Sequence, residues 1–171
     1  GSMINAPRLS NVRRSTINVN DNATLVTAPL SQIDDARIWA SGGVNFDRIT
    51  DADYVMDSYQ HDTDLLSAKD QNTVLDASSL KSLTFGYYNY RSTYAVRAEA
   101  GGRIDLSGLT SLGVKPAEDD ILNFHVNGGG QIDLSGLRSI NQTAGNDSER
   151  VRFHVGEQGT LKLGNLAAAN R

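Results

Sequence analysis

The chain contains no cysteine, only three histidines and a single tryptophan in 171 residues. Without thiols, neither a disulfide framework nor a thiolate zinc site can form. With only His61, His125 and His154 available, a metal centre would have to be built mainly from carboxylates. No apolar run approaches the roughly eighteen residues that a membrane-spanning helix needs, so no transmembrane segment is expected. Basic charge is also sparse. Lys and Arg number 16 against 20 Asp and Glu, for a net charge of -4, and the longest basic run is Arg13-Arg14. Phosphate backbones require a concentrated basic surface, so nucleic acid is not an expected partner. Neither a Gly-x-Ser-x-Gly nucleophile motif nor a phosphate loop occurs. Hydrophobic residues at 39% and charged residues at 21% are both low for a globular enzyme, and 16 glycines with many Ser, Thr and Asn make up the difference.

What the sequence does have is a repeat. Residues 96–112 (VRAEAGGRIDLSGLTSL), 124–140 (FHVNGGGQIDLSGLRSI) and 153–169 (FHVGEQGTLKLGNLAAA) align without gaps. The shared template is apolar-x-apolar, a turn ending in Gly-x, then apolar-x-apolar-x-x-Leu-x-x-apolar. Fainter copies run over residues 17–33, 38–49 and 66–80. Leu25, Val44, Leu75, Ile104, Ile132 and Leu161 are taken as equivalent, the first apolar residue after each turn. Their spacing is short at first, overshoots at Val44 to Leu75, and is nearly constant from Leu75 onward. Within each copy the apolar period is two, the signature of short half-buried strands.

Strands this short cannot stand alone, but one coil per copy would stack equivalent strands in parallel about 4.8 Å apart. Apolar ladders would follow: Val96/Phe124/Phe153, Ala98/Val126/Val155 and Ile104/Ile132/Leu161. Stacking then supplies the core that no single coil has. The expectation is an all-β, single-domain, right-handed parallel β-helix of about six coils over residues 16–171. A leucine-rich repeat has a similar period, but it needs a helix after the strand. GVKPAEDD and NQTAGNDSERVR lack helical apolar spacing. Residues 1–15 read as a Gly-Ser-Met cloning scar followed by an N-terminal arm or cap. Residues 50–64 (TDADYVMDSYQHDTD) read as an excursion leaving the stack, and the C-terminal AAANR reads as the edge of an excerpt from a longer protein.

The phrases GGRIDLSGLTSL and GGGQIDLSGLRSI resemble the tandem β-helix repeats of very large secreted or surface-anchored bacterial proteins. The resemblance covers mainly residues 95–169. It implies an extracellular or cell-surface location and an adhesin-like or passenger-like role, and no catalytic motif comes with it. The leading expectation is thus a non-enzymatic module acting as an adhesin, a spacer or a binding surface for glycan or cell-surface protein. Exposed strand edges at the last coil invite end-to-end self-association. The alternative is a polysaccharide lyase or glycoside hydrolase using carboxylates stacked on one face.

Several side chains are candidates for function. Asp76, Asp105 and Asp133 align on one outward ladder, with Lys162 at the next rung. Such a ladder can hold Ca²⁺ or supply an acid and a base, or simply accept hydrogen bonds from the following Ser. No other cofactor is expected. His125 and His154 align with Arg97 on a second outward ladder, where two His without a third ligand read as a polar surface row. The acidic excursion (Asp51, Asp53, Asp57, Asp62, Asp64) lacks the central Gly of a calcium loop. Phe85, Tyr87, Tyr88, Tyr90 and Tyr94 form the densest aromatic cluster. Tyr88, Tyr90 and Tyr94 with Arg91 are expected on an exposed face, as flat surfaces for sugar rings or a protein partner.

Overall fold

The period-two pattern is realised as strands throughout. The structure, a computed structural model, describes residues 2–21, 23–58, 62–86, 92–115, 120–142, 150–164, 166 and 168–170. Among these there is no helix, and the strands run in parallel. In chain order they are β1 (Met3–Ala6), β2 (Thr16–Val19), β3 (Thr24–Thr27), β4 (Arg37–Ser41), β5 (Asn45–Phe46), β6 (Asp53–Val55), β7 (Thr63–Lys69), β8 (Val74–Asp76), β9 (Ser82–Phe85) and β10 (Thr93–Glu99). Then come β11 (Arg103–Asp105), β12 (Ser111–Val114), β13 (Ile121–Asn127), β14 (Gln131–Leu134), β15 (Ser139–Gln142), β16 (Arg150–Val155), β17 (Thr160–Leu163) and β18 (Ala168–Asn170). From β4 onward every third strand joins the same sheet, which makes the chain a β-solenoid.

The first sheet has six strands in the order β2-β4-β7-β10-β13-β16. The second is β5-β8-β11-β14-β17 and the third is β6-β9-β12-β15-β18. From β4 to β16 the chain makes about four full turns, fewer than the six coils expected, because the first copies do not form complete three-sheet rungs.

The apolar ladders line up rung by rung. Ile38, Leu66, Val96, Phe124 and Phe153 form one inward row. Phe46, Leu75, Ile104, Ile132 and Leu161 form the second, and Tyr54, Leu83, Leu112 and Ile140 the third. Leu66, Val96 and Phe124, Leu75, and Tyr54, Leu83 and Leu112 are fully buried. The Phe124 and Phe153 rings stack with centroids 5.4 Å apart. Close stacking also explains the Gly in Ile-Asp-Leu-Ser-Gly. A Cβ on Gly136 would lie 2.2 Å from the Ser107 carbonyl oxygen of the coil beneath, and one on Gly108 would lie 1.9 Å from that of Ser78.

Three expectations change. Opposite Leu75 stands Phe46, not Val44, because the strand after the short Gly42-Gly43 turn begins late, at Asn45. With Phe46 in place, the interval to Leu75 matches that of the later coils, and Leu25 joins a separate pair, β1-β3. The supposed excursion over residues 50–64 is largely part of the stack. Asp53–Val55 is a rung of the third sheet, Tyr54 and Met56 are fully buried, and β7 begins at Thr63. Finally, residues 3–15 are more than an arm. Met3–Ala6 pairs with Thr24–Thr27, Asn11 bridges Gln32, and Val12 is buried, so this segment continues the stack by a partial rung.

Candidate functional site

The spacing along one turn shows where the solenoid departs from regularity. The step from the first inward row to the second (Val96 to Ile104, Phe124 to Ile132) equals the step from the second to the third (Ile104 to Leu112). The return to the first sheet (Leu112 to Phe124, Leu83 to Val96) is half as long again or more. The non-repetitive segments therefore lie at one corner, where the third sheet hands over to the first. The predicted binding residues Tyr88, Tyr90 and Arg91 fall in the sequence between β9 and β10 and lie outside the described residues, as do Tyr87 and His61.

Tyr94 is a correction. It is fully buried, because β10 begins at Thr93 and its alternation turns Tyr94 inward with Val96 and Ala98. Phe85, the other end of the cluster, is fully buried at the end of β9 for the same reason.

The acidic side chains of this region serve the corner. Asp62 accepts the Thr93 N–H (2.6 Å) and Asp120 accepts the Ser92 N–H (2.9 Å). Asp35 accepts those of Asp57 and Ser58 (2.7 and 2.9 Å). Each carboxylate satisfies backbone donors that leave the ladder where the chain turns. Asp51 accepts the Ile33 N–H, Asp53 the Ser82 hydroxyl, and Asp57 an ion pair from Lys115 that holds its carboxyl below the usual range.

The aligned carboxylates are as stacked as the repeat implied. Asp105 is in register with Asp76 on one side and Asp133 on the other, and Lys162 is opposite Asp133. Each Asp accepts the N–H of the Ser two residues on, at 2.9, 2.9 and 3.0 Å, which closes a local turn. Burial opposes the charge on Asp133, but bonds from Ser135 and Lys162 outweigh it and hold the carboxyl below its ordinary value. No group of three His, Asp or Glu among the described residues is placed to hold a metal ion.

A different face gathers more varied chemistry. On the outside of the six-stranded sheet, Trp39, Ser67, Arg97, His125 and His154 form one row, a residue per rung along the solenoid axis. A cavity of about 510 Å³ opens beside it, lined by Trp39, Asp64, Thr93, Ala95 and Arg97 among others. The Trp39 indole N–H donates to the Asp64 carbonyl at 2.8 Å. Arg97 Nε lies 3.0 Å from both Asp64 carboxylate oxygens, and its Nη1 lies 3.1 Å from Glu99 Oε1. Burial alone would weaken the charge on Arg97, but Asp64 and Glu99 outweigh it and raise its pKa.

His125 and His154 stack nearly parallel, with centroids 4.7 Å apart, and His125 Nε2 lies 3.5 Å from Glu99. Burial, then Arg97 and His154, push the His125 pKa down against the pull of Glu99 and Asp64.

In comparisons with known proteins, no family model matches the chain, and neither a curated protein nor a solved structure matches it. The face itself must therefore carry the functional argument.

Sequence reasoning found the Arg97/His125/His154 ladder but missed Trp39 and Asp64 as its neighbours. Trp39 stands in regular register with Ser67 and Arg97, so matching Ile38-x-Ala40 to Val96-x-Ala98 was the available signal for it. For Asp64 the reason is a β-bulge. Between Ala95 and Val96 the register against β7 slips by one, from Asp64 to Leu66. Leu65 and Leu66 are both fully buried, and the extra residue turns Asp64 to the outside. Two adjacent inward leucines followed by strict alternation, Asp64-Leu65-Leu66-Ser67-Ala68, were the available signal.

Proposed function

We propose that this chain is a non-enzymatic binding module of a secreted or cell-surface, adhesin-like protein, and that its outer six-stranded face takes an extended saccharide chain. The observation that carries the reading is the axial row led by the chain's only tryptophan, set beside a cavity open to one side. An indole presents a flat apolar surface with one polar edge, the form that suits a sugar ring. Here the polar edge is already bonded to Asp64, so the ring is held in one orientation before any ligand arrives, which lowers the ordering cost of binding. The charged groups around it are paired with one another rather than converging on a reacting point. The Asp76/Asp105/Asp133 carboxylates each serve a turn. Both features support binding over catalysis.

The test is binding to immobilised polysaccharides by the wild-type chain and by Trp39→Ala. The expected result is retention on at least one polymer that falls about tenfold or more in the variant, consistent with loss of ring stacking and apolar contact together. Retention unchanged in Trp39→Ala, with far-ultraviolet dichroism intact, would overturn the assignment of this face.

A further inference from the structure

The same face differs in charge from the rest of the molecule. Its six strands carry five basic residues (Arg37, Lys69, Arg97, Arg150 and Arg152) and two acidic ones (Asp64 and Glu99), whereas the whole chain carries 16 basic and 20 acidic. A positive face on an acidic protein is a local feature, not a reflection of composition. The two acids are, moreover, engaged with Arg97. Arg150 and Arg152, on β16, are exposed and make no ion pair among the described residues. Strand alternation sets Arg152 and His154 on the same side, with Phe153 between them in register with the inward Phe124. His154 stacks on His125, one rung back toward Arg97.

Moving along the axis from β4 to β16, the face thus changes from an aromatic groove whose charges are paired to a cationic end that has no ion pair among the described residues. The arrangement follows the rungs, so one polymer laid along the axis meets both parts in succession. Resting on the binding role proposed above, we infer that the ligand is an anionic polysaccharide, with sugar rings against Trp39 and acid groups over Arg150, Arg152, His125 and His154. Guanidinium pairs match carboxylate and sulfate oxygens in bidentate geometry. Stacked imidazoles add flat donors that need no rearrangement of the backbone. Polyanions also gain from several weak contacts made at once, since each further contact along one chain is intramolecular.

Dextran, carboxymethyl-dextran and dextran sulfate share one backbone and differ only in charge, so they separate backbone recognition from acid recognition. The measurement is affinity electrophoresis of the wild-type chain, Arg150→Gln/Arg152→Gln and Trp39→Ala in gels holding each polymer. The inference expects little retardation by dextran and strong retardation by one or both charged forms. It also expects added salt to weaken that retardation, and the double-Gln variant to bind about fivefold to tenfold more weakly. Preference between the carboxymethyl and sulfate arms identifies which acid the face takes. Equal retardation by all three polymers, abolished in Trp39→Ala, would overturn the anionic inference and leave the binding role standing. No retardation by either charged form would also overturn the anionic inference, while the binding role stands or falls with the immobilised-polysaccharide test above. Charged-polymer binding unaffected by the double-Gln change would overturn the placement on β16.

Discussion

Between β2 and β4 the chain climbs one rung in a visibly shorter stretch, Ile17 to Ile38, than any later rung takes, such as Ile38 to Leu66 or Val96 to Phe124. The two regions start their coils alike: Ile17 stands as far before Leu25 as Ile38 does before Phe46. They differ at the third corner. In the short coil the chain passes from Ile33 to Ile38 through Asp34 and Asp35, whereas the regular coils take more than twice that length, as from Leu112 to Phe124. Burial follows the same division. Strands β2 and β3 alternate exposed with half-buried or buried residues, but β10 and β13 present fully buried inward rows.

The short coil closes its corner with two adjacent carboxylates: Asp34 accepts the Val55 N–H, and Asp35 holds those of Asp57 and Ser58 while Arg14 lies 3.5 Å from it. In the long coils Asp62 and Asp120 hold the N–H groups of Thr93 and Ser92 where β10 begins. The lesson is that the apolar rows fix the coil's two flat sides, and the third corner is free to vary in length. That freedom places the cavity and its charged rim where the first sheet begins.

Four sets of variants test this contrast. The largest effect is expected from core truncation. Leu112→Ala, in a fully buried row, should lower unfolding free energy by about 2–5 kcal/mol, whereas Leu25→Ala, only partly buried in the short coil, should cost roughly 1 kcal/mol. Chemical denaturation compares them, and equal losses would show that the short coil is as fully packed as the long ones.

Next comes the corner itself. Asp35→Ala leaves the Asp57 and Ser58 N–H groups without their acceptor and should cost about 1–3 kcal/mol. Asp62→Ala loses a single bond at a more exposed place and should cost about 1 kcal/mol or less. The reverse order in a thermal-melt series would mean that the long connections depend more on their carboxylates than the short corner does.

Glycine substitutions test coil stacking. Gly136→Ala must push its coil away from Ser107 and should cost about 1–3 kcal/mol. Ser79→Ala stands at the same position one coil below Gly108, where a side chain is already accommodated, and should stay within about 0.5 kcal/mol. Matching losses would show that the close approach is not confined to the regular coils.

The smallest effect concerns pH. Because the folded state holds the His125 pKa below its ordinary 6.5, the unfolded chain binds more protons just under that pH. Stability should therefore fall by a fraction of a kcal/mol as pH drops from 7 through 6.5, and level off below the folded pKa. His125→Gln should flatten that part of the profile, and a variant that keeps the full slope would assign it to another group.

Much of the fold was legible because the regular coils repeat without gaps. Ile104, Ile132 and Leu161 recur at nearly equal intervals and stand in register in the second sheet. The ladder Asp76/Asp105/Asp133 was legible for the same reason. Coil count and the early register were less so. The Gly42-Gly43 turn and the short first coil change the step, and apolar matching alone then favours Val44 over Phe46. The exposed aromatic face failed at Tyr94 because that residue belongs to β10 and shares the parity of Val96 and Ala98, both already read as inward, so it should have been counted with the strand and not with the aromatic cluster before it.

What the sequence determined by itself is the solenoid. A period of two, nested inside the much longer period of the coil, leaves every coil with an apolar side that only a neighbouring coil can cover. Stacking is the one way to bury it. What the tertiary structure decided is which distant segments share a surface. The stretches that follow β6, β9, β12 and β15 look unrelated in sequence, yet each connects the third sheet to the first because the flat sides between them have equal lengths. Asp64 reaches the outer face beside Trp39 and Arg97 through a one-residue bulge, 25 and 33 positions from its partners. Backbone pairing between coils fixes that register, and pairing is a property of two strands together that neither strand's sequence carries alone.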